Sequence, residues 1–197
     1  MSHLSHKSLV LVLDSAGNPI KWMSRERALA RVVGGRVSWT AGEHRDIIFG
    51  GTCRQGAVRS QIELPSIIAL KGRASPHRQS HLVPTRSALF RRDRYLCAYC
   101  VKVFSPDKLT RDHIVPLVQG GTNKWQNLVS ACRFCNSAKG GNRPEQVGMS
   151  LAYVPYRPNR AEEFVLMASG RHRILADQMD FLTKGLPAWS RLRLGDA

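Results

Sequence analysis

The stretch that decides the fold covers residues 97–135, which open with CAYC at 97–100 and close with CRFC at 132–135. Two Cys-x-x-Cys pairs separated by 31 residues have the ligand spacing of a tetrahedral zinc site. The sequence therefore predicts one structural zinc, bound by the thiolates of Cys97, Cys100, Cys132 and Cys135. Because four thiolates leave no open position on the metal, we expect this zinc to stabilise the segment and not to catalyse a reaction.

Polar residues with other chemistry lie between and just after the two cysteine pairs. The run LTRDHIVP at 109–116 places Asp112 beside His113, Asn127 follows, and Asn136 comes directly after the last cysteine. A carboxylate suits a hard cation such as Mg²⁺, and a neutral imidazole can take a proton from water near pH 7. Because zinc would join the two pairs, we expect the strand with Asp112 and His113 to lie against a short helix with Asn136.

Charge sets the class of partner that the whole chain favours. The 197 residues carry 30 Lys and Arg against 14 Asp and Glu, a net charge of +16. Such an excess indicates a polyanion partner, most simply nucleic acid. Three basic residues of the central stretch are candidate phosphate contacts: Lys124, Arg133 and Lys139. For Lys139 the alternative is a solvated helix face.

Hydrophobicity and cysteine usage indicate a compartment. No apolar run approaches the ~20 residues that a bilayer-spanning helix needs, and the run at 9–13 is too short for the core of a signal peptide. We therefore expect no membrane partner and a cytoplasmic location. In that reducing compartment paired Cys-x-x-Cys motifs favour metal over disulfides. Cys53 lies outside the pattern and is expected to be an ordinary buried or half-buried residue.

The N-terminal third has the pattern of a small α+β unit with short strands. Ser24 precedes an amphipathic run at 27–33, which predicts a short capped helix. The predicted strands cover residues 8–13, 36–40 and 46–49, a turn follows at Gly50 and Gly51, and an apolar run at 62–70 is interrupted by Pro65. Residues 71–86 are rich in Arg, Ser, Pro and His, as expected of a solvated linker or of a basic arm on a phosphate backbone.

The remaining patterns complete an α+β prediction for the chain. A helix is predicted at 88–94, capped by Thr85 or Ser87, and two more are predicted at 161–168 and 173–182. With 43% hydrophobic residues the chain can form a core for one compact domain or somewhat more. The predicted organisation is an N-terminal unit with linker at 1–84, a zinc-stapled domain at 85–150 and a C-terminal helical extension at 151–197.

Residues 85–150 resemble the HNH endonucleases, whose core is a ββα-metal finger, also called a His-Me finger. The resemblance rests on CAYC and on the run LTRDHIVPLVQGGTNKWQNLVSACRFCNSAKGG. It includes both cysteine pairs, the Asp-His pair, the glycine loop, Asn127 and Asn136. The family takes its name from three residues. At the third of these positions this chain has Asn136 where many members have His, a variant that occurs in the family. The opening LVLDSAGNP at 11–19 also resembles the leader of a bacterial and phage subgroup.

The resemblance implies a role for each residue. His113 would be the general base that activates water, and Asn127 would fix the loop and thereby the histidine. Asp112 and Asn136 would hold one divalent cation, Mg²⁺ or Mn²⁺, on the scissile phosphate. The implied activity is metal-dependent hydrolysis of DNA phosphodiester bonds.

Several alternatives remain open at this point. The chain could be a zinc-stapled nucleic-acid-binding module without cleavage activity, or a nuclease acting on RNA. A single site would nick one strand, whereas a homodimer would cut both. The protein could also act within larger phage or restriction machinery.

Overall fold

The computed structural model describes residues 8–52, 59–72, 84–169 and 172–194. It confirms the α+β class and divides the chain into two compact units, residues 1–80 with 160–197 and residues 81–159. Cys53 and most of the predicted linker lie outside the described residues, as does the start of the chain. None of the helices in the described part has the length and hydrophobicity needed to cross a bilayer.

The first unit contains a sheet whose described strands are β1 (Val10–Leu13), β2 (Pro19–Met23), β3 (Val37–Thr52) and β4 (Arg59–Leu70). Their order is β2-β1-β4-β3, with β1 parallel to β4 and the other pairs antiparallel. The sequence predicted two short strands and a turn at Gly50, but β3 is one long strand. The β3–β4 pairing contains register shifts, one of them between Ala41 and Arg45, and Pro65 of β4 lies opposite Arg45 at this shift. A proline, which has no N–H to donate, is tolerated at such an irregularity.

Helices cover both faces of this sheet because alternate residues of β1 and β4 point to opposite sides. Val10, Val12 and Ile68 face helix α1 (Arg25–Val33). Leu11, Leu13 and Ile67 instead pack with residues of helices α4 (Arg160–Ala168) and α5 (Ala176–Lys184). The C-terminal helices therefore belong to the core of the N-terminal sheet, which differs from the separate extension that their position in the sequence suggested.

The second unit is built from short elements around the cysteine pairs. Helix α2 (Arg86–Arg92) is capped by Thr85, whose hydroxyl accepts from Ala88 N. Strands β5 (Leu109–His113) and β6 (Leu128–Cys132) pair antiparallel, and helix α3 (Arg133–Lys139) begins where β6 ends. This β–β–α succession places the Asp-His pair on one strand and Asn136 on the helix beside it.

A buried ion pair joins helix α2 to the β5–β6 pair. Arg92 and Asp93 are both buried, and their side chains meet at 2.7 Å. Arg92 also donates to the carbonyls of Trp125 and Leu128, and Asp93 accepts from the backbone N–H of Ser130. Because each buried charge has several hydrogen-bond partners, the pair fixes the start of β6 relative to α2.

Candidate catalytic and zinc sites

The four cysteine thiols of the central stretch come together at one point. Their sulfur atoms all lie within 4.8 Å of one another. A tetrahedral zinc with Zn–S bonds of about 2.3 Å requires sulfur atoms roughly 3.8 Å apart, so a small contraction would complete the site. The donor set and its clustering fit the zinc that the sequence predicted.

Backbone hydrogen bonds favour the thiolate form of one of these cysteines, which is the form that binds a metal. Burial by itself raises the pKa of the Cys97 thiol, but backbone hydrogen bonds from Cys100, Cys132 and Tyr99 outweigh this and lower the pKa to about 7. Burial raises the pKa of Cys100 and of Cys135. Because zinc binds thiolates, Cys97 can supply one near neutral pH, and a bound dication would favour ionisation of Cys100 and Cys135.

The first cysteine turn is held in a fixed conformation. Cys97 N donates to Lys102 O at 2.9 Å, and Val101 N donates to Cys97 O at 3.1 Å. Val101 has φ of 57°, a left-handed conformation that is unfavourable for a β-branched residue. Ala98 N donates to Ser130 O at 2.8 Å, which joins the turn to strand β6.

Asp112 is buried, with two charged or polar partners on its carboxylate. Lys139 Nζ lies 3.0 Å from Oδ1, and the Tyr99 hydroxyl donates to Oδ2 at 2.5 Å. Burial and, as the second cause, the hydrogen bond to Asp112 raise the pKa of Tyr99, so its phenol remains a donor. Lys139 is 1% exposed. Its position therefore does not match the predicted phosphate contact at the surface, because its ammonium is turned inward to the carboxylate.

Asn136 lies on the first turns of helix α3 and faces strand β5. Its Nδ2 donates to the Thr110 hydroxyl at 2.8 Å. Thr110 and Asp112 are alternate residues of β5, so they share one face of the strand. With Nδ2 engaged, the carbonyl oxygen is the atom of Asn136 that can serve as a ligand.

These side chains fit a hard divalent cation by their chemistry. Asp112 offers carboxylate oxygens and Asn136 an amide oxygen, the ligand types that Mg²⁺ and Mn²⁺ prefer. Lys139 is a competitor, because its ammonium neutralises the same carboxylate. A cation at this position must share or replace that interaction.

His113 follows Asp112 and is partly exposed, on the opposite face of β5. Its Nε2 donates to Asn123 Oδ1 at 2.8 Å. An amide oxygen can only accept a hydrogen bond, so in the neutral form of the imidazole the proton lies on Nε2 and the lone pair on Nδ1. The ring therefore presents Nδ1 as its basic nitrogen.

Asn127 joins the two ends of the loop that carries Asn123. Its side chain accepts from Val115 N at 2.9 Å and donates to the carbonyls of Val115 and Thr122, each at 3.0 Å. Gly121 is required in this loop, since a Cβ there would lie 1.8 Å from Val115 O. The side-chain amide of Asn127 therefore holds together the two ends of the loop that begins after His113.

Comparison with known proteins identifies the segment that contains these residues. Residues 97–152 match the family model described as HNH endonuclease. This part of the chain is an HNH endonuclease domain. A stretch of 67 residues is also 42% identical to the CRISPR-associated endonuclease Cas9 of Corynebacterium diphtheriae, and it covers 31% of this chain and 6% of that protein. The chain thus matches only a small part of that relative's length.

The HNH domain contains the site residues that the sequence singled out, and it brings some of them together. Strand β5 and helix α3 bring Asp112 and Asn136 to neighbouring positions, and His113 lies at the end of β5. Lys124 and Arg133 are exposed, as a phosphate contact requires, although Arg133 also donates to Asp107 O at 2.9 Å.

Two residues of the HNH domain have contacts that sequence reasoning did not assign. Tyr99, within the first cysteine pair, reaches Asp112, and Asn123, in the glycine loop, reaches His113. The sequence carried a signal for Asn123, because an amide in a short glycine loop next to a histidine is a ready hydrogen-bond partner. No spacing rule connects Tyr99 to Asp112.

Proposed function

We propose that this protein is a metal-dependent DNA endonuclease that hydrolyses phosphodiester bonds. The observation that carries the proposal is that, within the segment that matches the HNH family, Asp112 of β5 and Asn136 of α3 lie on adjoining elements and His113 follows Asp112 at the end of β5. A base, a carboxylate and an amide oxygen on two adjoining elements are the groups that metal-assisted hydrolysis of a phosphodiester needs.

His113 is the general base in this proposal. Its Nδ1 accepts the proton of the attacking water while Nε2 remains bonded to Asn123. Asn127 acts on His113 indirectly, since it holds the loop that carries Asn123. A neutral imidazole suits this role near pH 7, because it can bind a proton without first losing one.

Asp112 and Asn136 hold the divalent cation, Mg²⁺ or Mn²⁺. When bound, such a cation neutralises charge that develops on the phosphate in the transition state. Tyr99 and Thr110 support the two ligands through hydrogen bonds to Asp112 and Asn136. The zinc at Cys97, Cys100, Cys132 and Cys135 is structural in this proposal, because four thiolates complete its coordination.

DNA is the proposed substrate. The net charge of +16 favours a polyanion, and Lys124 and Arg133 are exposed within the HNH domain, where they can contact phosphates. One site per chain nicks one strand, whereas cutting both strands requires two copies or two encounters. A cytoplasmic location and action within larger phage or restriction machinery are compatible proposals.

Relaxation of a supercoiled plasmid tests this function. Wild-type protein should give open circles in Mg²⁺ or Mn²⁺ and none in EDTA. Asn136→Ala should lower the rate by at least about tenfold while zinc content stays the same, since Asn136 is a cation ligand and Cys135 a zinc ligand. DNA binding without cleavage in either metal would favour the binding module over the nuclease.

A further inference from the structure

The carboxylate of Asp112 is held by a residue that belongs to the zinc-binding turn. Tyr99 lies between Cys97 and Cys100, and its hydroxyl donates to Asp112 Oδ2 at 2.5 Å. Lys139 engages the other carboxylate oxygen from helix α3. Asp112 is thus fixed on two sides, and one of these two contacts comes from the turn that carries two of the four cysteines.

The position of the Tyr99 hydroxyl depends on the backbone of that turn. Two backbone hydrogen bonds close the turn, Cys97 N to Lys102 O and Val101 N to Cys97 O, and the left-handed Val101 ends it. Ala98 N is bonded to Ser130 O of strand β6, the partner of β5. The ring therefore extends from a fixed turn toward Asp112 and has little freedom to move away.

Shielding of the metal does not account for this arrangement. An apolar ring would exclude water from the thiolates as well as a phenol does, and Phe134 occupies the corresponding place between the second pair of cysteines. Phe134 is 82% exposed, whereas Tyr99 is turned inward with its hydroxyl on a buried carboxylate. The hydroxyl of Tyr99 is used by Asp112, not by the cysteine cluster.

We propose that Tyr99 is a positioning residue for the divalent-cation site, through which the four-cysteine site is coupled to the catalytic carboxylate. The hydrogen bond to Oδ2 orients the Asp112 carboxylate beside Asn136. Groups that hold a metal ligand in this way typically contribute 10- to 100-fold to metal affinity. The inference rests on the proposed function, because it assumes that Asp112 binds the cation.

Binding of Mn²⁺ to the full-length, zinc-loaded protein tests this role without any cleavage assay. Free Mn²⁺ is measured by electron paramagnetic resonance in titrations of wild type and Tyr99→Phe, and zinc content is measured on the same samples. Tyr99→Phe keeps the ring and removes only the hydroxyl. We expect its Mn²⁺ dissociation constant to rise about tenfold while it retains as much zinc as wild type.

Tyr95→Phe is the matched control, because Tyr95 lies in the same unit and its ring packs against the cluster that contains Leu89 and Phe90. It should bind Mn²⁺ as wild type does. An unchanged Mn²⁺ affinity in Tyr99→Phe overturns the inference, and so does a loss of zinc, which would mean that the turn needs the hydroxyl for its own structure.

Asn136→Ala separates this inference from the proposed function. If wild type and Asn136→Ala bind Mn²⁺ equally, the cation does not lie at this site and the proposed function fails together with the inference. If Asn136→Ala weakens binding and Tyr99→Phe does not, only the inference fails.

Discussion

At the scale of single residues, the candidate site is a set of side chains that are each held by at least one identified partner. His113 is held by Asn123, Asp112 by Tyr99 and Lys139, and Asn136 by Thr110. Held side chains lose little conformational freedom when a substrate binds, which is the advantage of a preorganised site. Two residue-level predictions follow from these partners.

The contact between Asn123 and His113 predicts a loss of rate without a loss of binding. Asn123→Ala should lower the rate of plasmid nicking by about tenfold, since the imidazole would no longer be held with Nδ1 directed at water. Affinity for DNA, measured by fluorescence anisotropy, should stay within twofold. Gln126→Ala, at an exposed position nearby, is the control. A normal rate in Asn123→Ala would show that His113 needs no such support.

The buried pair of Lys139 and Asp112 predicts opposite effects on stability and on cation binding. Lys139→Met leaves a buried carboxylate without its counter-charge and should destabilise the protein by about 3–5 kcal/mol in EDTA. Because the competing ammonium is gone, Mn²⁺ should raise the melting temperature of the variant more than that of wild type. An equal gain in both proteins would argue against competition for Asp112.

At the scale of elements, helix α5 is fixed to the sheet by Asp177. Its carboxylate accepts from the Ser66 hydroxyl at 2.6 Å and from His44 N at 2.9 Å, which joins α5 to strands β4 and β3. A Cβ at Gly42 would lie 2.4 Å from this carboxylate, so a glycine is needed there. Burial raises the pKa of Asp177, but the hydrogen bonds from Ser66, His44 and Gln178 outweigh it and lower the pKa below its usual range.

This lowered pKa predicts a stability difference that depends on pH. The ionised form is favoured in the folded state, so Asp177 stabilises the fold above about pH 4 and ceases to do so as pH falls toward the folded-state pKa. Asp177→Asn should be less stable than wild type by about 1 kcal/mol at pH 7, and the difference should shrink below pH 4. Urea unfolding from pH 7 to pH 3 measures it. A stability difference between the two proteins that is the same at pH 7 and at pH 3 would exclude stabilisation by the ionised Asp177 carboxylate.

The same elements indicate how far sequence reasoning could go. The clustering of the four cysteines followed from the spacing of the two pairs, and the β–β–α order of the core was implied by the resemblance to the HNH endonucleases; both appear in the structure. Strand β3 was predicted as two short strands followed by a turn at Gly50 and Gly51, whereas pairing with β4 from Val37 to Thr52 overrides that local preference. The placement of α4 and α5 on the N-terminal sheet depends on contacts between distant parts of the chain, which local patterns do not encode.

Side-chain partners were harder to predict for a related reason. Lys139 was predicted to contact a phosphate or to lie on a solvated helix face, but whether it faces solvent or Asp112 depends on how α3 packs on β5. The contact of Tyr99 with Asp112 spans 13 residues and two elements. Both are tertiary contacts between residues that no motif links.

At the scale of the whole molecule, the two units have separate cores. One consists of the sheet with α1, α4 and α5, and the other combines the cluster around Leu89 and Leu128 with the four cysteines. A small unit with few large apolar residues gains much of its stability from a structural metal, which contributes on the order of 10 kcal/mol. Zinc removal should therefore affect the two units differently.

This difference is testable by hydrogen exchange. After zinc is removed with a strong chelator, or in Cys132→Ser, peptides from residues 84–159 should lose protection while those from β1 and β4 keep it. Cys132→Ser removes one thiolate and so weakens the site at its junction with α3. Retained protection in both units would mean that the cysteine cluster is not a structural zinc site.

The central claim is that the HNH domain cleaves DNA with His113 as its base, and relaxation of a supercoiled plasmid by His113→Ala tests it most directly. The variant should bind DNA and hold zinc as wild type does, because His113 is bonded to Asn123 and not to the cysteines. Its nicking rate in Mg²⁺ should fall by at least about 100-fold. Nicking at the wild-type rate would contradict the assignment of the base and of the site built around it.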